Sequence, residues 1–276
     1  MKQLFRMAQE LDAPVEKRRE FFHAAVALFQ EHSATISPPE LAAYYFDIYT
    51  RYSGIEDSYT EIKMQSTELA RAIYPELEKI CRASGDREFM NRVKLAISGN
   101  VIDYGVNPDF DVSQAEKQIR EVLDMPCDME ALRDLKKRLS DAGNILYILD
   151  NCGEAVLDRL LLDTVKGKVT IAVRGRAIIN DITRREVEAS NLSDFPLIDT
   201  GCNAPGAPLK LVSPEFRAAM DNADLIIAKG QGNFESLEHE YTARPIYFLF
   251  RAKCRVIQNY INAEAGSLQI RGKNLS

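Results

Sequence analysis

The sequence predicts an α/β protein: a mostly parallel sheet covered by helices on both faces, joined to an N-terminal helical subdomain. Three observations predict it. Five apolar runs, at 145–149, 169–173, 196–199, 225–228 and 246–250, are continuous rather than alternating, as strands buried on both faces are. Stretches of helical spacing separate these runs, the pattern of a parallel sheet with crossover helices. Before residue 106 only helical spacing occurs. The expected division is a helical subdomain over 1–105 and an α/β core over 106–276, packed as one unit.

In the helical part, Phe21, Phe22, Ala25, Val26 and Phe29 share one helical face. Ser37-Pro38-Pro39-Glu40 is a helix start, with Ser37 as cap and proline in the first turn. Leu41, Tyr44, Tyr45 and Ile48 continue that helix, and Ser53-Gly54 stops it. A longer helical pattern covers about 58–82, in which Pro75 predicts a kink or break. The stretch 95–105, LAISGNVIDYG, differs: Asn100 and Asp103 are polar within apolar surroundings. They read either as inter-helix hydrogen bonds or as a wall of a site. In the core, 112–123 and 129–139 are helical, and 254–257 reads as a further short strand.

Composition sets limits. The chain has 276 residues, 46% hydrophobic, which suffices for a core without staples. A net charge of −6 argues against nucleic acid or an anionic membrane as partner, while leaving room for a locally positive cleft. No apolar run approaches the ~18 residues of a membrane span, and the N-terminus does not resemble a secretory signal. The five cysteines form no CxxC pair and there are three histidines, so a structural zinc site is not expected. Scattered, odd-numbered cysteines suit a reducing compartment, and the expected location is cytoplasmic.

The chemistry gathers where strands end. At 145–158, ILYILDNCGEAVLD, a buried strand gives way to Asp150-Asn151 and then to a helix. That edge is where open α/β sheets bind ligands, and two oxygen-bearing side chains there suit a hard cation as well as a helix cap. Cys152, adjacent, invites comparison with a nucleophilic thiol, but no histidine is near it in sequence. After the second strand, Asn180-Asp181 again precedes a helical pattern through Arg184, Val187 and Leu192. Asp150, Asn151 and Asp181 could therefore converge on one divalent ion. After the third strand lies DTGCNAPGAP, a loop that lets backbone approach a ligand. After the fourth, Lys229-Gly230-Gln231-Gly232-Asn233 opens a helix as an anion cradle. It is neither a P-loop nor a full dinucleotide fingerprint.

Five motifs in order, AISGNVIDYGV, DNCGEAVLD, RGRAIINDIT, DTGCNAPGAPL and KGQGNFESL, resemble the domain of unknown function 89 family, the damage-control metal-dependent phosphatases. They span about 96–237, and SPPELA at 37–42 is also similar. The resemblance implies a three-layer α/β/α core with a helical subdomain. It also implies a divalent metal (Mg, Mn, Co or Ni) at Asp150, Asn151 and Asp181, and hydrolysis of small phosphate esters such as sugar phosphates or damaged phospho-metabolites. Lys229, Gly230 and Asn233 would contact phosphate, and Glu154, Asn100 and Asp103 would line the pocket. Asp150 could attack directly or orient a water. Relatives often begin with a CxxC pair that Met1-Lys2-Gln3 does not show, so no role of that pair is carried over. Two other readings compete. A non-catalytic phospho-ligand or metal-binding module would use the same cradle without turnover. An S-adenosylmethionine-dependent methyltransferase needs more glycine after the first strand than Gly153 supplies.

Overall fold

The structure, a computed structural model, describes residues 5, 7–9, 11–32, 35–99 and 112–275, with backbone only for 112–117. Asn100 and Asp103 lie outside the described residues. The helical part contains α1 (Val15–His32), α2 (Pro38–Ser53), α3 (Thr60–Ala83) and α4 (Glu88–Ser98). Ser37 caps α2 as expected, in a capping box with Glu40, and Gly54 ends it in the left-handed region at φ +73°. α3 runs unbroken through Pro75. Its buried stripe of Ala70, Ile73, Leu77 and Cys81 packs on both sides of that residue, so packing compensates for the missing N–H.

The core then proceeds α5 (Val112–Asp124), α6 (Met129–Asp141), β1 (Ile145–Ile148), α7 (Cys152–Leu162), β2 (Val169–Val173), β3 (Leu197–Asp199), α8 (Pro214–Asn222), β4 (Leu225–Lys229), α9 (Gly230–Leu237), β5 (Ile246–Arg251), α10 (Arg255–Ile261) and β6 (Leu268–Lys273). The sheet order is β3-β2-β1-β4-β5-β6. All pairs are parallel except β5–β6. The order reverses between β1 and β4, which opens the ligand crevice of a doubly wound sheet at their carboxyl ends.

Alternate residues of each strand serve opposite layers. Ile145, Tyr147 and Leu149 face one cluster, built with Val93 and Ala96 of α4, Leu135 of α6 and Ala155 of α7. Leu146 and Ile148 face the other, with Phe216 and Met220 of α8 and Phe234 of α9. This is the expected three-layer sandwich. α7 is buried except at Arg159, because α3 covers its outer face through Val156, Leu157 and Leu160. The N-terminal helices are thus partly built into the core: α4 lies in one covering layer. No helix among the described residues is long and apolar enough to cross a membrane.

Two local expectations are corrected. Residues 254–257 begin helix α10 rather than a strand, and the last strand is β6, antiparallel to β5. The stretch after Asp181 holds only a short 3-10 turn, Arg184–Glu186, capped by Thr183. A helix cannot open earlier, since the preceding backbone is committed to the sheet edge: Ile182 N–H donates to Asp150 O (2.9 Å) and Cys152 N–H to Asn180 O (3.0 Å).

Candidate active site at the carboxyl edge of the sheet

Asp150 and Asn151 follow β1 directly, where the chain leaves the sheet and before α7 begins at Cys152. Asp181 arrives from the loop after β2. That loop folds back so that Asn151 and Asp181 pair as an antiparallel bridge and Arg174 pairs with Thr183. Ile179, just before, sits at φ +43°, an unfavourable conformation for a β-branched residue that is held by the structure around it. The bridge brings Asn151 and Asp181 together next to Asp150, and all three are buried, at 9%, 8% and 3% exposure.

Arg174 joins the two acids. Fully buried at the end of β2, its Nε donates to Asp181 Oδ2 (2.6 Å), Nη2 to Asp150 Oδ1 (3.2 Å) and Nη1 to Asn233 Oδ1 (3.3 Å). Asn151 Nδ2 donates to Asp150 Oδ2 (3.1 Å). Burial pushes the Asp181 carboxyl up to about 7 despite the opposing pull of Arg174. Two carboxylates against one guanidinium leave this buried cluster short of positive charge. Among the described residues no three His, Cys, Asp or Glu side chains gather as a metal site. The donors are instead two carboxylates and one amide, the hard-oxygen set that suits an ion retaining open positions. The residues present thus fit a divalent cation.

Gly230 shows how tightly this edge is built. Its φ is +78°, and an added Cβ would lie 2.0 Å from Asp150 Oδ2. Gly230→Ala is expected to displace the Asp150 carboxylate and lower turnover by at least about tenfold. It should also destabilise the fold by roughly 1–3 kcal/mol. Steady-state rates beside a urea titration would check both.

Other predicted residues take different places. Lys229 was expected to reach phosphate, but it is wholly buried. Its Nζ donates to Ala96 O (2.7 Å), Glu154 Oε1 (2.5 Å) and Asp158 Oδ1 (2.6 Å). All three ammonium donors are engaged in the layer between the sheet and α4. Burial works against its charge, yet Asp158 and Glu154 outweigh it and raise its pKa. Glu154, expected in the pocket wall, is 2% exposed. Burial raises its carboxyl to about 7, with Lys229 opposing. The backbone of α4 presses on it, since a Cβ on Gly99 would lie 2.6 Å from Glu154 Cα. Asn233, expected at phosphate, instead donates from Nδ2 to Lys229 O (2.7 Å) and Leu149 O (3.3 Å), bracing Arg174. Cys152 is fully buried and burial pushes its thiol pKa up, which opposes a thiolate nucleophile.

Sequence reasoning missed Arg174, Asp158 and Tyr147. Tyr147 Oη donates to Asp158 Oδ1 (2.8 Å), completing the Lys229 network. Their signals were a cation ending a buried strand and an acid within an apolar helix stripe. Lys63 of α3, 1% exposed, was missed as well; it pairs with Asp57 (2.7 Å) and Glu186 (3.7 Å) behind the Asp181 loop. The loops that follow the strands also enclose a cavity of about 390 Å³. It lies between the end of α2 and the loops after β2 and β3, with Asp47, Arg176, Thr183, Arg184, Arg185 and Asn203 in its lining.

Comparison with known proteins shows which family the chain resembles. A family model described as the damage-control phosphatase ARMT1-like domain matches residues 1–268. A protein of Pyrococcus horikoshii named damage-control phosphatase PH1575 is 34% identical over 257 residues, 91% of this chain and 87% of that protein. One of Archaeoglobus fulgidus named damage-control phosphatase is 33% identical over 225 residues, 78% of this chain and 75% of that protein. The crystal structure of the domain of unknown function 89 family protein from Pyrococcus horikoshii superposes with a TM-score of 0.84 at 33% identity. It covers 97% of this chain and 93% of that one.

Proposed function

The chain belongs to the damage-control phosphatase ARMT1-like family, and from that premise we propose that it is a metal-dependent phosphatase of small phosphate monoesters, such as sugar phosphates or damaged phospho-metabolites. The observation that carries the proposal is the meeting of Asp150, Asn151 and Asp181 at the β1–β4 switch point, around a buried cluster short of positive charge. These three residues would hold the divalent ion (Mg, Mn, Co or Ni). When bound, such an ion polarises a phosphoryl oxygen and offsets charge developing on it.

The remaining work falls to the chain. Arg174 fixes both carboxylates in one orientation, and Asn233 fixes Arg174. α7 and α9 both begin at this edge, and helix N-termini favour an anion there. Gly230, with no side chain, keeps the start of α9 against Asp150. Oδ1 of Asp150 accepts from Arg174 and Oδ2 from Asn151, which fixes the carboxylate for either role, direct attack or orientation of a water. The reading includes a cytoplasmic location, supported by five free cysteines.

The test is phosphate release from a panel of phosphoesters by protein stripped with a chelator, with Mg²⁺, Mn²⁺, Co²⁺ or Ni²⁺ restored singly. Release is expected to fall to background on stripping and to return with at least one ion. Saturable phosphoester binding without release under any ion would replace the phosphatase by a binding module.

A further inference from the structure

The cavity between α2 and the loops after β2 and β3 is lined by guanidinium groups that the reacting phosphate does not use. Three arginines line it, Arg176, Arg184 and Arg185. Their side chains are 62%, 53% and 69% exposed. Each touches one carboxylate: Arg176 Nη1 lies 3.1 Å from Asp47, Arg184 Nε 2.6 Å from Asp199, and Arg185 Nη2 3.1 Å from Glu56. Arg176 Nη2 also donates to Asn203 (3.0 Å). A guanidinium carries five donors, so most N–H groups here have no protein acceptor among the described residues. Only two carboxylates line the same cavity, Asp47 and Glu56. With Asp199 counted, three arginines face three carboxylates, so the cavity is charge-balanced within a chain of net charge −6.

The arginines are not the cluster that would hold the reacting phosphate. That place belongs to Asp150, Asn151 and Asp181, with Arg174 already committed to the two acids. The cavity begins one residue from Arg174, at Gly175, and two from Asp181, at Thr183. Chain adjacency is what links this cavity to the carboxylates, and a substrate with two anionic ends would span from one to the other. Exposed ion pairs such as these yield readily to a better-matched ligand, and forked guanidinium donors match phosphate and carboxylate.

We propose that Arg176, Arg184 and Arg185 form a subsite for a second anionic group, so that the preferred substrates are small phosphate esters bearing another phosphate or a carboxylate. The proposal rests on the phosphatase reading for the first phosphate. The experiment compares matched substrates under the best metal: fructose 1,6-bisphosphate with fructose 1-phosphate, and 3-phosphoglycerate with glycerol 3-phosphate. A preference in kcat/KM of about tenfold or more for one or both doubly anionic partners is expected, and the two pairs tell phosphate from carboxylate. In the Arg184→Gln/Arg185→Gln double variant the preference should shrink toward one, with the loss in KM rather than kcat. An unchanged ratio in that variant, or no preference in the parent protein, overturns the subsite.

Calorimetry on metal-free protein separates the two readings. The probes are alkane bisphosphonates of two to five carbons against propylphosphonate, none of which can be hydrolysed as an ester. Tighter bisphosphonate binding that the double variant loses, in a protein that hydrolyses nothing, would keep the subsite and remove the phosphatase. Hydrolysis without substrate preference or bisphosphonate preference would do the reverse.

Discussion

Asp181→Asn is expected to reduce metal-dependent phosphate release by roughly 10³-fold or more while leaving the protein as stable as its parent. The two halves of this expectation have one cause. Asp181 and Asp150 are the only carboxylates paired with Arg174 among the described residues, and all three groups are buried. The neutral amide removes one charge from a cluster that holds two negative groups and one positive, so Arg174 and Asp150 remain as a balanced pair. Loss of the folded state is therefore not expected, but one of the two anionic ligands is gone. Asp150→Asn should behave alike in turnover. Thermal unfolding run beside the assay separates the effects: turnover retained in both variants would sink the site assignment, and a collapsed melting curve in Asp181→Asn would contradict the charge argument.

Lys229→Met should act in the opposite way, through the fold. The lysine neutralises Glu154 and Asp158 inside the layer between the sheet and α4. Without it two carboxylic groups stay buried without the ammonium that Lys229 supplies, and breaking such a pair costs roughly 3–5 kcal/mol. That corresponds to a Tm lower by on the order of 10 °C. The pH dependence carries a sign. Burial already raises the carboxyls of Glu154 and Asp158, with Lys229 opposing; without Lys229 both rise further. The folded variant then holds protons that the unfolded chain, with carboxyls near 4, has released. Its stability falls as pH rises above about 4, so the deficit against the parent is small in acid and large at neutral pH. Urea titrations at pH 4.5 and 7.5 would measure it. A deficit that shrinks with rising pH would refute this network. An unchanged Tm with a raised KM would return Lys229 to the substrate phosphate.

Much of the fold was legible in the chain. Continuous apolar runs and the spacing between them determined five parallel strands and both covering layers, because strands buried on two faces tolerate no polar alternation. β6 was not legible: LQIRGK carries charge, and its strand state comes from pairing with β5 at the sheet edge. The Arg184–Glu186 turn escaped for a related reason, as the backbone that would have nucleated a helix bonds to Asp150 and to the start of α7 instead.

The same division runs through the site. Asp150, Asn151 and Asp181 stand out in the sequence because each stands where an apolar strand or its following loop meets a helix-like start, and they are the residues of the proposed site. Their residue types at those positions determine a hard-oxygen donor set. Which cation faces which acid could not be read from spacing. Arg174 and Lys229 both end buried strands, yet Arg174 turns toward Asp150 and Asp181 while Lys229 turns under α4 toward Glu154 and Asp158. Successive positions of a strand point to opposite faces, and crossover helices decide which acids wait on each. A buried charge settles against the partner that packing brings within reach, and that choice belongs to the tertiary structure.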